Sequence, residues 1–424
     1  MEHLQHDEHF ALIVDQQQVP VQAEQQSIIP RPYPQVIKYM GSKAAILPFV
    51  AKGLSKVFTP DRPIVDLFSG ACAISAGFGH RARIISNDIQ EYSATIASAY
   101  LHPVDRIDQC DIVSTARQLV QEKQLHLPDG LTYPSDCSLS EFNVIEERNR
   151  ALINMEFDFP YHLFTRAYSG TWWSAEQCLW IDSIRQALDQ LRDRGDLSES
   201  DFKVGLTCLM HAMAYTSQGT GHYAQYRDAK NVSSMKDIQK YRRLTVSEYF
   251  TRKLISLTQW NRENAVELGH ETYSLDYKQC LECIPSSIVY ADPPYAFVHY
   301  SRFYHAIETI VRYDYPELQF KAGEMVKGRY RVDRHQSPFC ISTKVRSAFV
   351  DLFHGVKQSK SDLVLSYSNT GMIDIQQLIA LAQEEFGGSY TIWVEGIDHD
   401  HMTMGRREDR DRQVEESIVV AKRR

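Results

Sequence analysis

Short apolar runs and long helix-like stretches follow one another unevenly along this chain, and their order predicts a sheet interrupted by a helical block. Ile64-Val65-Asp66-Leu67-Phe68 reads as a short buried strand. The small residues Ser69-Gly70-Ala71-Cys72-Ala73 follow, then a helix-compatible stretch from Ile74, then a second strand from Ala82 to Ser86 that ends at Asn87-Asp88. Strand, small-residue turn, helix, and strand with a terminal acid form the opening of an open α/β nucleotide-binding sheet. From about 100 to 270 the pattern becomes helical, with Trp172, Trp173 and Trp180 close together. Ser174 followed by Gln177 predicts a capping box that opens a helix running to about Leu191. Strand-like runs then return at Ser287–Ala291 and Asp362–Tyr367, and Thr391–Val394 with Ser417–Ala421 predict a late hairpin. The expected fold is therefore α/β, with one sheet split in sequence by an inserted, mostly helical domain.

Residues 1–34 are rich in Gln, His, Asp and Glu and finish in Pro30-Arg31-Pro32-Tyr33-Pro34, which predicts a mobile N-terminal arm. The expected organisation is this arm at 1–34, the first part of the sheet domain at 35–100, the helical insert at 101–269, and the rest of the sheet domain at 270–424. His3, His6 and His9 have a spacing that could invite a metal, but a solvated tail is the simpler reading. Asp398-His399-Asp400-His401 is likewise better read as a polar hairpin tip, and no metal is expected.

Composition narrows the picture only a little. A chain of 424 residues with 43% hydrophobic and 24% charged positions is ordinary for a globular protein of two or so domains. The net charge of -8 leans against a surface that binds nucleic acid everywhere, while leaving room for a locally basic groove. Of eight cysteines only Cys280 and Cys283 form a C-x-x-C, without the second pair a zinc site needs, so reduced cysteines and a cytoplasmic protein are expected. No apolar run approaches the ~18 residues of a membrane span, and no secretion signal is seen.

Asp292-Pro293-Pro294-Tyr295 directly follows the strand at Val289. The prolines fix the backbone and remove two donors, leaving carbonyls to accept hydrogen bonds from a substrate. Asp292 supplies another acceptor, so the motif can hold both hydrogens of an exocyclic amine, and Tyr295 offers a flat face for a base. A plain strand-ending turn is the competing explanation. Other parts of the chain fit the first one better. Asp66 to Ala71 stands where a nucleoside binds such a sheet, Gly70 lets backbone approach a ligand, and Asp88 ends the next strand, where an acid can hold ribose hydroxyls. A full G-x-G-x-x-G is absent, which argues against a dinucleotide.

These residues resemble the Dam-type family of adenine-specific DNA methyltransferases, over roughly 35–100 and 270–370. Lys38-Tyr39-Met40-Gly41-Ser42-Lys43 looks like the family's Lys-rich first motif, Asp66 through Cys72 like its cofactor motif, and Asp88 like the acid after it. Asp276 resembles the acid that contacts the cofactor's adenine, Asp292 to Tyr295 matches the catalytic motif completely, and Ser366-Tyr367-Ser368-Asn369 looks like the strand motif beyond. Cys72 replaces a usual second glycine, so close backbone approach there is open to question. The resemblance implies a class I methyltransferase sheet of Rossmann-like type and S-adenosyl-L-methionine as cofactor. It places Lys38, Tyr39, Gly41, Lys43, Asp66, Phe68, Gly70, Asp88, Asp276 and Asp292 on the cofactor side, with Lys38 near the active site. It implies methylation of the N6 amino group of adenine by direct displacement, on a base flipped from the duplex and stacked on Tyr295.

Double-stranded DNA is the implied partner, with a cognate restriction nuclease or phage-defence components beside it, and no membrane. The candidate DNA contacts are Lys240, Arg242, Arg243, Tyr295, Tyr304, Arg329 and Arg331, from two basic runs and the aromatic stretch after the catalytic motif. Phe297, Tyr300, Phe303 and Tyr304 are expected to divide between that stretch's pocket and the core. Gly219-Thr220-Gly221-His222-Tyr223 reads as a flexible loop inside the insert. Two alternatives stay open: an amino-cytosine or RNA methyltransferase, and a non-catalytic nucleic-acid-binding protein on the same fold.

Overall fold

The computed structural model describes residues 27–107, 111–219, 221–294, 299–402 and 411–424, with backbone alone for 398–402 and 411–415. His3, His6, His9, Tyr295 and Phe297 lie outside the described residues. Nine strands are described: β1 Ile64–Asp66, β2 Ile84–Asn87, β3 Glu271–Tyr273, β4 Ile288–Ala291, β5 Phe320–Lys321, β6 Glu324–Met325, β7 Asp362–Ser368, β8 Tyr390–Met402 and β9 Asp411–Arg423. Seven of them form one sheet in the order β3-β2-β1-β4-β7-β9-β8, and β5 and β6 make a small separate ribbon. Within the large sheet β9 runs antiparallel to β7 and β8, and the other pairs are parallel. The late hairpin is thus present but longer than expected. Asp398 to His401 belong to the paired length of β8 rather than to its tip.

Alternation along each strand sorts the side chains onto two faces. Ile64, Ile84, Ile288, Tyr290, Val364, Ile418 and Val420 join one buried cluster. Val65, Ile85, Val289, Leu363, Leu365, Val419 and Ala421 join the other. Both faces are covered over the centre of the sheet, so β1, β2 and β4 are buried throughout and read as short apolar runs, whereas the edge strand β3, Glu271–Tyr273, is only half-buried and has no such run. The second face is covered by helices Tyr277–Cys283, Val345–Gln358 and Ile375–Phe386. The first is covered by Leu47–Ser55, Ala73–Phe78 and Glu91–Leu101.

The block between β2 and β3 is mostly helical, as expected, and the capping box at Ser174 and Gln177 opens helix Ala175–Asp193. Its packing corrects one expectation. Most of the insert packs into the sheet's own core: Trp172, Trp173, Leu206, Met210 and Leu257 belong to the same buried cluster as Ile64 and Ile84, while Phe142, Ala229, Met235 and Ile238 form a small cluster within the insert. Helices Glu199–Thr216 and Val246–Asn264 pack directly on Glu91–Leu101. Asn261 ties the layers by donating to the carbonyls of Ala99 and His102, both at 2.9 Å.

Residues 28–34 are a second correction, since they are not a mobile arm. Ile28 is buried, Tyr100 donates to the Pro34 carbonyl at 2.8 Å, and Trp260 donates to that of Pro32 at 3.1 Å. The prolines that suggested a linker leave carbonyls that Tyr100 of the sheet domain and Trp260 of the insert use. Among the described residues no helix is long and apolar enough to cross a membrane.

Candidate active site

β1 and β4 are neighbours in space although 222 positions separate Asp66 from Ile288, and their register aligns Ile64 with Ile288. The strand order reverses between them, so their carboxyl ends open a crevice where α/β sheets bind ligands. A cleft of about 1100 Å³ lies there.

At one end the turn after β1 is locked to the turn after β2. The Gly70 N–H donates to Asp88 Oδ2 at 3.0 Å, and Asp88 Oδ1 accepts the Gln90 N–H at 3.0 Å. Gly70 has φ +47°, and a Cβ there would stand 2.7 Å from the Tyr39 ring. Tyr39 cannot retreat easily, because it is stacked on Tyr304 at 4.6 Å. Glycine is therefore required by both backbone angle and space. Cys72, where a second glycine was expected, adopts the left-handed region with φ 62°. Its thiol turns away from the cleft toward the Ser93 carbonyl, 3.2 Å off, so it leaves the approach open. Asp276 caps helix Tyr277–Cys283 by accepting the Lys278 N–H at 3.0 Å, and it also lines the cleft.

At the other end sits Asp292, just beyond β4. The Lys43 ammonium lies 2.8 Å from Asp292 Oδ1 and 3.2 Å from Glu416 Oε1, and Ser366 donates to the same Glu416 oxygen at 2.8 Å. These side chains are 7% (Lys43), 16% (Asp292) and 2% (Glu416) exposed, so the charges interact in a low dielectric. Burial pushes Asp292 up to about 6, with Lys43 holding it down and Glu416 pushing it further up. Burial likewise raises Asp66 well above the usual carboxylate range, and Asp292 and Asp88 add to this. Asp88 is raised by burial and held back by the backbone N–H groups it accepts.

Tyr39, Gly41, Lys43, Asp66, Phe68, Gly70, Asp88, Asp276, Asp292, Pro293 and Pro294 thus line one cleft. Other expected site residues are elsewhere. Lys38 is exposed, with its ammonium 4.9 Å above the Tyr215 ring, and Lys43 is the cation that reaches Asp292. Tyr304 is buried behind Tyr39, where its hydroxyl accepts the Met40 N–H at 2.8 Å, so it faces no DNA. Arg242 is fully buried in a paired contact with Glu146 at 2.9 and 3.0 Å. Arg331 is held by both oxygens of Asp314 at 2.7 Å, and Arg329 is buried and donates to the Ala167 carbonyl at 3.2 Å. These arginines hold the fold. Lys240 and Arg243 remain exposed, Arg243 donating to the Ser135 carbonyl at 3.0 Å.

The sequence reading missed Glu416. A signal existed: alternation places it on the face of Ile418 and Val420, where an acid would be buried. His335 and Ser337 also line the cleft, brought there by a loop with no periodic pattern.

A mostly parallel sheet ending in an antiparallel hairpin, with a cleft where its order reverses, is the scaffold of class I methyltransferases, and this chain is of that class. A family model described as D12 class N6 adenine-specific DNA methyltransferase matches residues 39–169 and 214–365, most of the chain, and the chain belongs to that family. It is 24% identical over 347 residues to modification methylase LlaI of Lactococcus lactis subsp. lactis, a match covering 82% of this chain and 48% of that protein. It is 25% identical over 345 residues to type II methyltransferase M.FokI of Planomicrobium okeanokoites, covering 80% and 45%. With type II methyltransferase M.NlaIII of Neisseria lactamica it shares 23% identity over 356 residues, covering 83% and 89%. The chain spans about half the length of the first two.

Proposed function

We propose that this chain transfers a methyl group from S-adenosyl-L-methionine to the N6 amino group of adenine in double-stranded DNA. The observation that carries this reading is the opening of Asp292-Pro293-Pro294 onto the same cleft as the Gly70 turn and Asp88. The residues suit the cofactor: Gly70 leaves a cradle that a Cβ would fill, and the buried Asp66 Oδ2 has no hydrogen-bond partner among the described residues. When bound, the cofactor supplies a methyl group on a cationic sulfonium. Asp88 accepts from its ribose hydroxyls through lone pairs that two backbone contacts leave open, and Asp276 meets its adenine end.

The Asp292 carboxylate and the Pro293 carbonyl each accept one hydrogen of the target amine. That orients the nitrogen lone pair toward the methyl group, and alignment is the main catalytic gain. Asp292 also stabilises the positive charge the nitrogen acquires. The target nitrogen is paired inside a duplex, so the base is extruded, with Tyr295 as its stacking face. The cleft holds one nucleoside and one base, so the remaining base pairs are read by other surfaces. The insert, 101–269, is the largest of these, and its exposed Lys240 and Arg243 suit phosphate contacts. The names of the relatives as modification methylases support a cognate restriction nuclease as partner.

The test is expression in a host lacking adenine methylation, followed by modification-sensitive sequencing. Methylated adenine at one recurring sequence supports the proposal. Methylated cytosine, or unmodified DNA from a folded, cofactor-binding protein, refutes it.

A further inference from the structure

Lys43 is gripped from two sides. Asp292, Glu416 and the Gly41 carbonyl all lie within 3.4 Å of its ammonium. Glu416 comes from β9, the antiparallel strand beyond β7, and Ser366 on β7 fixes its carboxylate. Stability does not explain an acid there. A Lys43–Asp292 pair would be neutral by itself, and a further buried carboxylate adds desolvation cost beside two acids, Asp66 and Asp292, already raised by burial. A glutamate in that place does have a geometric effect. It holds the ammonium between β9 and the Asp292 carboxylate, 3.2 Å from Glu416 Oε1 and 2.8 Å from Asp292 Oδ1. A lysine without this second anchor is free to swing across the carboxylate and occupy both oxygens.

We propose that Glu416 is a positioning residue for methyl transfer: through Lys43 it fixes the Asp292 carboxylate so that Oδ2 is presented to the target amine. The inference rests on the proposed function, because it needs an amine at Asp292. Among the described residues the charged and titratable groups facing Asp292 are Lys43 from the helical turn Lys43–Ile46, Glu416 from β9, Asp66 from β1 and Tyr290 from β4. Among these, Glu416 is the one whose charge opposes ionisation of Asp292 while its position holds Lys43 in place. Geometry and charge can therefore be separated by two substitutions.

Glu416→Ala removes both, and Glu416→Gln keeps an acceptor for Lys43 while removing the charge. Methyl transfer to duplex DNA is measured for the parent and both variants across pH, with cofactor calorimetry and thermal denaturation alongside. Glu416→Ala is expected to lower kcat by about tenfold or more with little change in KM for cofactor, because misplaced acceptors cost alignment rather than binding. Glu416→Gln is expected to give a rate between the two, and its acid limb is expected at lower pH than the parent's. A purely structural role would not move that limb, so Glu416→Gln carries the test even if Glu416→Ala fails to fold. Rates within about twofold of parent for Glu416→Ala, or an unmoved limb in Glu416→Gln, overturn the inference while an active parent leaves the function reading standing. A parent that binds cofactor yet methylates no adenine overturns both.

Discussion

Replacing Asp292 with alanine separates chemistry from folding and from cofactor binding. The substitution removes the Oδ1 contact to Lys43 at 2.8 Å, but Lys43 keeps Glu416 at 3.2 Å, so no buried ammonium is stranded. The usual cost of several kcal/mol for breaking a buried pair is therefore not expected. Burial already raises Asp292 toward neutrality, and its loss relieves a cluster of acids that includes Asp66. Thermal stability should stay close to parent or rise. Cofactor affinity should change by less than about tenfold, or 1.4 kcal/mol, because Gly70 and Asp88 at the far end of the cleft are untouched. Methyl transfer should fall at least about a hundredfold, roughly 3 kcal/mol, the loss typical of a preorganised charged or polar group at a developing charge. Single-turnover transfer from labelled cofactor to duplex DNA, with calorimetry and melting on the same preparation, gives all three values. A rate within tenfold of the parent would sink the role given to Asp292.

Asp88→Ala should do the reverse, weakening cofactor binding by ~1.5–3 kcal/mol through lost charge-assisted hydrogen bonds; unchanged affinity in calorimetry would make Asp88 only a lock between two turns. The parent's kcat should fall as pH drops through about 6, because the reaction needs the Asp292 carboxylate and burial has raised its pKa to that value. The stability sign is opposite: a carboxyl raised in the folded state favours folding as pH falls from about 6 toward its unfolded value, so a rate loss that tracks unfolding would contradict the assignment. Arg242→Ala should cost roughly 3 kcal/mol in urea unfolding, since it leaves Glu146 buried with fewer partners, whereas Lys240→Ala should fall within about 0.5 kcal/mol of parent. If Arg242→Ala instead keeps full stability and loses DNA binding, its buried role is wrong.

The centre of the sheet was legible because β1, β2 and β4 are short apolar runs that lead into chemically distinctive turns. Asp66 to Ala71, Asp88 and Asp292 to Pro294 could be placed at strand ends, and an open sheet gathers such ends at one edge. The basic residues were legible only as charge. Arg242 and Arg331 look like their exposed neighbours in sequence, and only tertiary contacts with Glu146 and Asp314 reveal them as buried pairs. Lys38 and Lys43 posed the same ambiguity. The first follows buried Val36 and Ile37 onto the surface, and the second begins a helical turn and is buried against the cleft. The insert's shared core was hidden for a related reason. Helix periodicity marks an apolar face without naming its partner, and helix Glu199–Thr216, buried almost all round, packs against helices of both the insert and the sheet domain. Glu416 was hidden because a strand 124 residues after Asp292 closes the site, with no motif linking the two.

The most direct test is to incubate purified protein, duplex DNA and methyl-labelled S-adenosyl-L-methionine, digest the DNA to nucleosides and identify the one that carries label. The Asp292→Ala variant is run in parallel. The account predicts label in N6-methyldeoxyadenosine for the parent and at least a hundredfold less for the variant, about the loss expected of a preorganised acceptor. Label in a methylated cytosine, or equal label in adenine from both proteins, would contradict it.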